Sequence, residues 1–189
     1  MRRIPIYILL DTSESMRGEA CDNAFNGLNQ LLNWMLRDPI LLERGSISLI
    51  SFDTFARKRY GLSELLSMSL ELPSIRCSGL SKLSEAILLF LGCIDYDILH
   101  SHKTARENGW EKPLVLLLSD GHFSGEWSSY AEHLRRQDIC IFCFSCSQKA
   151  DYSSLNRISD GVINVSSLLD QIESIWISYL KFDVYADYD

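Results

Sequence analysis

Asp11, Ser13 and Ser15 alternate along the chain directly after a short apolar run, Ile4 to Leu10. A carboxylate and two hydroxyls are hard oxygen donors, and hard donors suit a hard cation such as Mg2+. Two further segments carry the same kind of chemistry. Ser78 and Ser81 lie in a loop of small residues, Cys-Ser-Gly-Leu-Ser-Lys at 77–82, ahead of a long apolar stretch. Asp120 ends another apolar run, Pro113 to Ser119. Two carboxylates roughly neutralise a divalent cation, and hydroxyls add donors without adding charge. A cation so held stays electrophilic and can accept one further oxygen from outside. A calcium store would gather more carboxylates and carbonyls.

These donors act together only if the chain brings them to one place. Ile4 to Leu10 fits a strand buried on both faces. In an open parallel sheet the carboxyl ends of neighbouring strands share one edge, and ligands bind just beyond it. The rest of the chain supplies such a sheet. Ala24, Leu28, Leu31, Leu32, Met35 and Leu36 recur at helical spacing, and Pro39 is expected to close that helix. Ile47 to Phe52 reads as a strand, Asp53-Thr54 as a turn, and Phe55 to Tyr60 as a short return strand at the sheet edge. Arg57, Lys58 and Arg59 would guard that edge against unwanted pairing. Leu62 to Leu72 reads as a short helix and loop ended by Pro73, and Leu83 to about His102 as a long helix.

A polar loop, Lys103 to Lys112, leads to the strand that ends at Asp120. Beyond it come a helix from Trp127 to Gln137, a strand from Ile139 to Ser145 and a short helix from Ser153 to Ser159. A strand from Gly161 to Val165 and a helix from Ser166 to Leu180 follow, with Ser166 or Ser167 as N-cap. Strands alternating with helices give an α/β fold: a doubly wound, mostly parallel central sheet with a short antiparallel edge strand and helices on both faces. No repeat or linker divides the sequence, so one domain is expected over 1–182, with an acidic tail at 183–189.

A chain of 189 residues, 47% hydrophobic and 23% charged, has the make-up of one well-filled globular domain. A net charge of -7 and a pI near 5.1 argue against nucleic-acid binding through phosphate neutralisation. No apolar stretch approaches the ~20 residues a membrane span needs. Met1-Arg2-Arg3 before an apolar run faintly mimics a signal peptide. The run is short, however, and ends in Asp11 without a small-residue cleavage site. It is therefore read as a strand, and the chain as cytoplasmic. Cys140, Cys143 and Cys146 would point to alternate faces of one strand, so they cannot converge on zinc and are read as buried apolar residues. His100 and His102, two apart, cannot share a helical face and are read as solvated.

Asp-Thr-Ser-Glu-Ser at 11–15 resembles the DxSxS motif of von Willebrand factor A (vWA) domains. Ser119-Asp120-Gly121 resembles the later (T/S)DG of that family, and Ser78-Gly79-Leu80-Ser81 falls where the family carries its metal-binding threonine. The resemblance covers nearly the whole chain. More narrowly, Arg3 to Gly18, the run into Ser119-Asp120-Gly121 and the Trp127 helix are similar to the TerY-like proteins of bacterial tellurium-resistance clusters. It implies a metal-ion-dependent adhesion site (MIDAS) of Asp11, Ser13, Ser15, Ser81 and Asp120, with Ser78 competing for the place of Ser81. The expected cofactor is Mg2+, or Mn2+ or Ca2+. Ser81 replaces the family's threonine and loses the methyl that holds the rotamer, and Lys82 follows it.

The implied function is a metal-dependent protein-interaction module in a bacterial stress-response or tellurium-resistance system. A partner would offer a Glu or Asp to the cation. Candidate partners by analogy are a kinase or a PP2C-type phosphatase of the same operon. His122, Phe123 and Trp127 would line the rim of the metal face, although Trp127 could equally pack under its own helix. Two alternatives remain open: capping roles for Asp11 and Asp120, or a vWA scaffold with a degenerate metal site. An Mg2+-dependent phosphatase of haloacid-dehalogenase type also begins with a strand-end Asp. That chemistry needs a second acid two residues on, and here Ser13 stands in its place. No dinucleotide fingerprint, P-loop or nucleophile elbow is present, so the chain is not expected to be an enzyme.

Overall fold

The computed structural model describes residues 1–67, 76–99 and 104–183. His100, His102, the second half of the Leu62–Leu72 stretch and the acidic tail after 183 lie outside the described residues. The strands are β1 (Ile4–Asp11), β2 (Gly45–Phe52), β3 (Ala56–Glu64), β4 (Leu114–Ser119), β5 (Cys140–Ser145) and β6 (Gly161–Asn164). The helices are α1 (Glu19–Met35), α2 (Pro39–Arg44), α3 (Leu83–Ile94), α4 (Ser128–Arg135), α5 (Tyr152–Ile158) and α6 (Leu168–Asp183). The six strands form one sheet in the order β3-β2-β1-β4-β5-β6. All neighbours are parallel except β3, which runs antiparallel to β2 at one edge.

β1 explains why the sheet is covered twice. All eight of its residues are buried. Ile4, Ile6, Ile8 and Leu10 enter one core with Leu28 and Leu31 of α1 and Ile172 and Trp176 of α6. Tyr7 and Leu9 enter the other with Ile87 and Phe90 of α3, Leu134 of α4 and Leu155 of α5. Alternate side chains thus feed opposite layers. Each such fully buried aliphatic side chain stabilises the fold by about 1.5–3 kcal/mol. The chain moves from β1 to β2 on one side, and β4 then adds on the other side of β1. The switch point of the topology therefore lies between the carboxyl ends of β1 and β4.

Some elements differ from the sequence-based expectation. Pro39 opens a helix instead of only closing one. α1 stops at Met35, Asp38 accepts the N–H groups of Ile40 and Leu41 at 2.9 Å each, and Pro39 takes the first helical position, where no N–H is needed. β3 is longer than a short return strand. Ser63 and Glu64, expected in a helix, pair with Ile47 and Ser46, and register shifts near Leu49 keep the longer pairing aligned. α6 starts at Leu168 after a tight turn, Val165–Ser167. Asn164 rather than a serine caps that turn, its Oδ1 accepting the Ser166 N–H at 2.9 Å. Trp127 sits at the N-cap position of α4, outside the helix proper. α3 ends at Ile94 and passes into a wide π-type turn, Asp95–Leu99.

Cys140 and Cys146 lie in one core and Cys143 in the other, as strand alternation requires. Among the described residues no helix is long and apolar enough to cross a membrane.

Candidate metal centre

Asp11 ends β1 and is 1% exposed. Its Oδ1 accepts the Ser13 N–H at 2.9 Å. Its Oδ2 accepts two hydroxyls, Ser81 Oγ at 2.8 Å and Ser119 Oγ at 2.6 Å. Burial pushes the carboxyl above its ordinary range, and the hydrogen bonds from Ser119, Ser13 and Ser81 pull it back only in part.

Local backbone geometry follows from the strand ends. Leu10 pairs with Leu118, so Asp11 and Ser119 are next neighbours across β1 and β4. Asp120 lies one residue further on and is buried at 3% exposure. Its Oδ1 accepts the His122 N–H at 3.1 Å, and its carbonyl accepts the Asp151 N–H at 2.8 Å. Gly121 turns the chain with φ +80°. A Cβ there would stand 2.6 Å from the Asp151 carbonyl oxygen, so only glycine fits.

The loop after β1 places the other hydroxyls. Thr12 is pinned to the Phe52 carbonyl by its N–H at 2.7 Å and its Oγ at 2.9 Å. Ser13 is buried, Ser15 is exposed, and their Oγ atoms lie 3.1 Å apart. A hydroxyl pair therefore runs from the buried carboxylate outward to solvent. The Ser78–Ser81 loop is held against this one by backbone bonds, Ser78 N–H to Thr12 O at 2.8 Å and Glu14 N–H to Gly79 O at 2.9 Å. Ser81 is 2% exposed, whereas Ser78 is exposed and contributes its N–H. Ser81, not Ser78, reaches Asp11.

Asp11, Ser13, Ser15 and Ser81 are linked by these contacts, and Asp120 flanks them on the adjoining strand end. Lys82 is half-buried and stands outside the bonded set. Its Nζ lies 3.6 Å from where a Cβ on Gly125 would be. Ser119 is the residue that sequence reasoning missed. Alternation sets residues 115, 117 and 119 of β4 on one face, and only the β1–β4 register makes that the face of Tyr7, Leu9 and Asp11.

The rim residues have mixed settings. His122 is exposed, with Nε2 3.1 Å from the Lys149 carbonyl oxygen. Phe123 and Trp127 are half-buried against the core beneath and meet edge to face at 5.3 Å. The Arg157 guanidinium lies over the Trp127 ring at 5.2 Å. Trp127 therefore packs as much as it presents.

Among the described residues no group of three or more His, Cys, Asp and Glu side chains is placed to hold a metal. The donor set here is of another kind, two acids with neutral hydroxyls. It fits a hard divalent cation on chemical grounds, because Asp11 is buried without an ion pair among the described residues and hydroxyl oxygens gather beside it.

No family model matches the chain, and no curated protein matches it. Solved structures do. The manganese-loaded TRAP protein of Plasmodium vivax superposes with a TM-score of 0.66 at 13% identity, covering 90% of this chain and 72% of that one. The ArnB paralog VWA2 from Sulfolobus acidocaldarius gives 0.60 at 19% identity, covering 89% and 43%. Proximal thread matrix protein 1 from the mussel byssus gives 0.61 at 12% identity, covering 92% and 47%. The chain spans less than half the length of the last two proteins. Likeness at these identities is likeness of fold. With its six-stranded sheet and single antiparallel edge strand, the chain has the doubly wound α/β fold of vWA domains.

Proposed function

We propose that this chain is a metal-dependent protein-interaction module of MIDAS type. One observation carries the reading. A buried carboxylate at the switch point, Asp11, gathers Ser13, Ser81 and Ser119 around it beside a second buried acid, Asp120. The manganese-loaded TRAP structure of the same fold supports a divalent cation. Asp11, Ser13, Ser15, Ser81 and Asp120 would hold Mg2+ or Mn2+. When bound, the cation offers an open position to a carboxylate oxygen of a partner's Glu or Asp.

The chain's own residues do the rest. Asp11 and Asp120 supply two negative charges from strand ends whose backbones are locked in the sheet. Ser119 and Ser81 fix the Asp11 carboxylate by donating to one of its oxygens. Ser13 and Ser15 offer hydroxyl oxygens along the path to solvent. His122, Phe123 and Trp127 stand beside the opening and would contact the partner's chain around its acid. Ser13 replaces the second acid that a phosphatase of haloacid-dehalogenase type would use, so docking rather than turnover is proposed. A setting in bacterial stress response or tellurium resistance, in the cytoplasm, with a kinase or PP2C-type phosphatase as partner, rests on the TerY-like resemblance alone.

The test is a thermal melt with Mg2+, Mn2+ or chelator, run on wild type and Asp11→Ala. Divalent metal is expected to raise the wild-type midpoint and leave the variant unmoved. A wild type indifferent to both metals would mean a degenerate site and end the proposal. Phosphatase turnover that Asp11→Asn abolishes would make the chain an enzyme instead. A chelator-sensitive pull-down then identifies the partner.

A further inference from the structure

Cys21 and Cys77 are distant in sequence and adjacent in space. Cys21 is half-buried in the first turn of α1, and Cys77 is buried at the start of the loop that leads to Ser81. Their Sγ atoms lie 2.7 Å apart, and both are free thiols. That separation is well inside the roughly 3.5–4.0 Å of a van der Waals contact between carbon atoms, and sulfur is the larger atom. A disulfide bond needs ~2.05 Å, so closure asks for only a small further approach.

The surroundings already hold the Cys77 end. Arg17 Nε donates to the Cys77 carbonyl at 3.1 Å. Ser78 N–H donates to Thr12 O, and Glu14 N–H to Gly79 O. Cys77 and the two residues after it are therefore tied to the segment just before α1, and Cys21 lies within α1 itself. The deep cysteines differ. Cys143 is 0% and Cys146 1% exposed, and they face opposite cores.

We propose that Cys21 and Cys77 form a reversible thiol–disulfide pair that staples the start of α1 to the Ser78–Ser81 loop. The oxidant is a low-molecular-weight disulfide such as oxidised glutathione. The more exposed Cys21, as thiolate, attacks one glutathione sulfur. A mixed disulfide forms, and the first glutathione leaves as thiolate and takes up a proton. Cys77 gives its proton to water and attacks Cys21 Sγ, expelling the second glutathione. Two protein thiols become one disulfide, and one oxidised glutathione becomes two reduced ones. Oxidation then fixes by a covalent bond the segment that positions Ser81. This pair does not depend on whether a cation binds.

Equilibration of the intact protein with oxidised glutathione, followed by acid quench, alkylation and peptide mapping, tests the pair. The expected product is a single linkage joining the Cys21 and Cys77 peptides, with the mass of two hydrogens lost and no glutathione retained. Cys77→Ser is expected to stop at a glutathione adduct on Cys21. A wild type that keeps that adduct unresolved, or links Cys21 to another cysteine, overturns the proposal. So does a wild type whose Cys21 and Cys77 both stay alkylatable under conditions where Cys77→Ser takes up glutathione. Both thiols and their linkage are read by mass, so a failed metal response leaves this outcome unaffected.

Discussion

Replacing Gly121 by alanine should cost more than replacing Gly109, and the difference measures how rigidly the Asp120 turn is packed. Both glycines hold positive φ, +80° and +82°. That backbone alone costs an alanine about 1–2 kcal/mol. At Gly109 an added Cβ meets nothing within 4 Å, so the backbone term is the whole effect. At Gly121 the Cβ would stand 2.6 Å from the Asp151 carbonyl oxygen and 3.0 Å from Leu155 Cγ. Neither neighbour yields cheaply, because one is backbone and the other is a side chain of 0% exposure. Relief would push the start of α5 away and stretch the 2.8 Å bond from Asp151 N–H to the Asp120 carbonyl. Overpacking of this kind adds about 1–3 kcal/mol. The expected losses are therefore about 1–2 kcal/mol for Gly109→Ala and about 2–5 for Gly121→Ala. Urea unfolding of both variants at one pH, with unchanged m, reads the difference. Equal losses would mean that α5 gives way freely, and that the Asp120 turn is not held by its packing.

Ser119→Ala removes a donor from the buried Asp11 carboxylate and should destabilise by about 1.5–3 kcal/mol at neutral pH; a loss under ~0.5 kcal/mol in the same urea assay would deny that contact its weight. Glu111 is 5% exposed and pairs with Arg44 at 2.6 Å and Arg2 at 3.4 Å. Glu111→Ala leaves the Arg44 guanidinium poorly partnered and should cost about 3 kcal/mol, read by chemical denaturation, while Glu111→Ala with Arg44→Met should recover part of it. Asp151 is held below its ordinary value of 3.8 by the Ser154 hydroxyl and the Ser154 and Ser153 N–H groups. Its contribution to stability is present above pH 3.8 and fades as pH falls through the lower folded value. A carbon-detected NMR titration should place its midpoint below 3.8, and a midpoint at or above that value would contradict the capping geometry.

The architecture was legible because β1, β4 and β5 are continuous apolar runs, which only a doubly covered sheet accommodates. Asp11 and Asp120 stood out because each interrupts such a run at the place where a strand must stop. Ser119 was legible as the first residue of the Ser119-Asp120-Gly121 motif but not as a partner of Asp11. Its role appears only with the β1–β4 register, which no single segment encodes. That Ser81 rather than Ser78 meets Asp11 likewise depends on contacts between remote segments, the loop's backbone bonds to Thr12 and Glu14. Pro39 shows the limit of a local rule. A proline that ends one helix also suits the first position of the next, and Asp38 before it was the capping signal. β3 outran its expected end because pairing with β2, including register shifts, outweighed the weak helical pattern of Leu62 onward.

The placement of β1 at the centre of the sheet has a consequence for how the protein is made. Its neighbour β2 follows within the first third of the chain, but its other neighbour, β4, starts at Leu114. Ser119 and Asp11 are 108 residues apart in sequence. During synthesis the ribosome releases β1 long before the strand that must close it. Over that interval β1 shows a row of unpaired N–H and C=O groups beside two apolar faces. Until β4 is made, β1 is an apolar strand with one open edge, the kind of segment a holdase chaperone binds. A fragment ending before β4 would lack Ser119 and Asp120, the two residues that β4 brings beside Asp11.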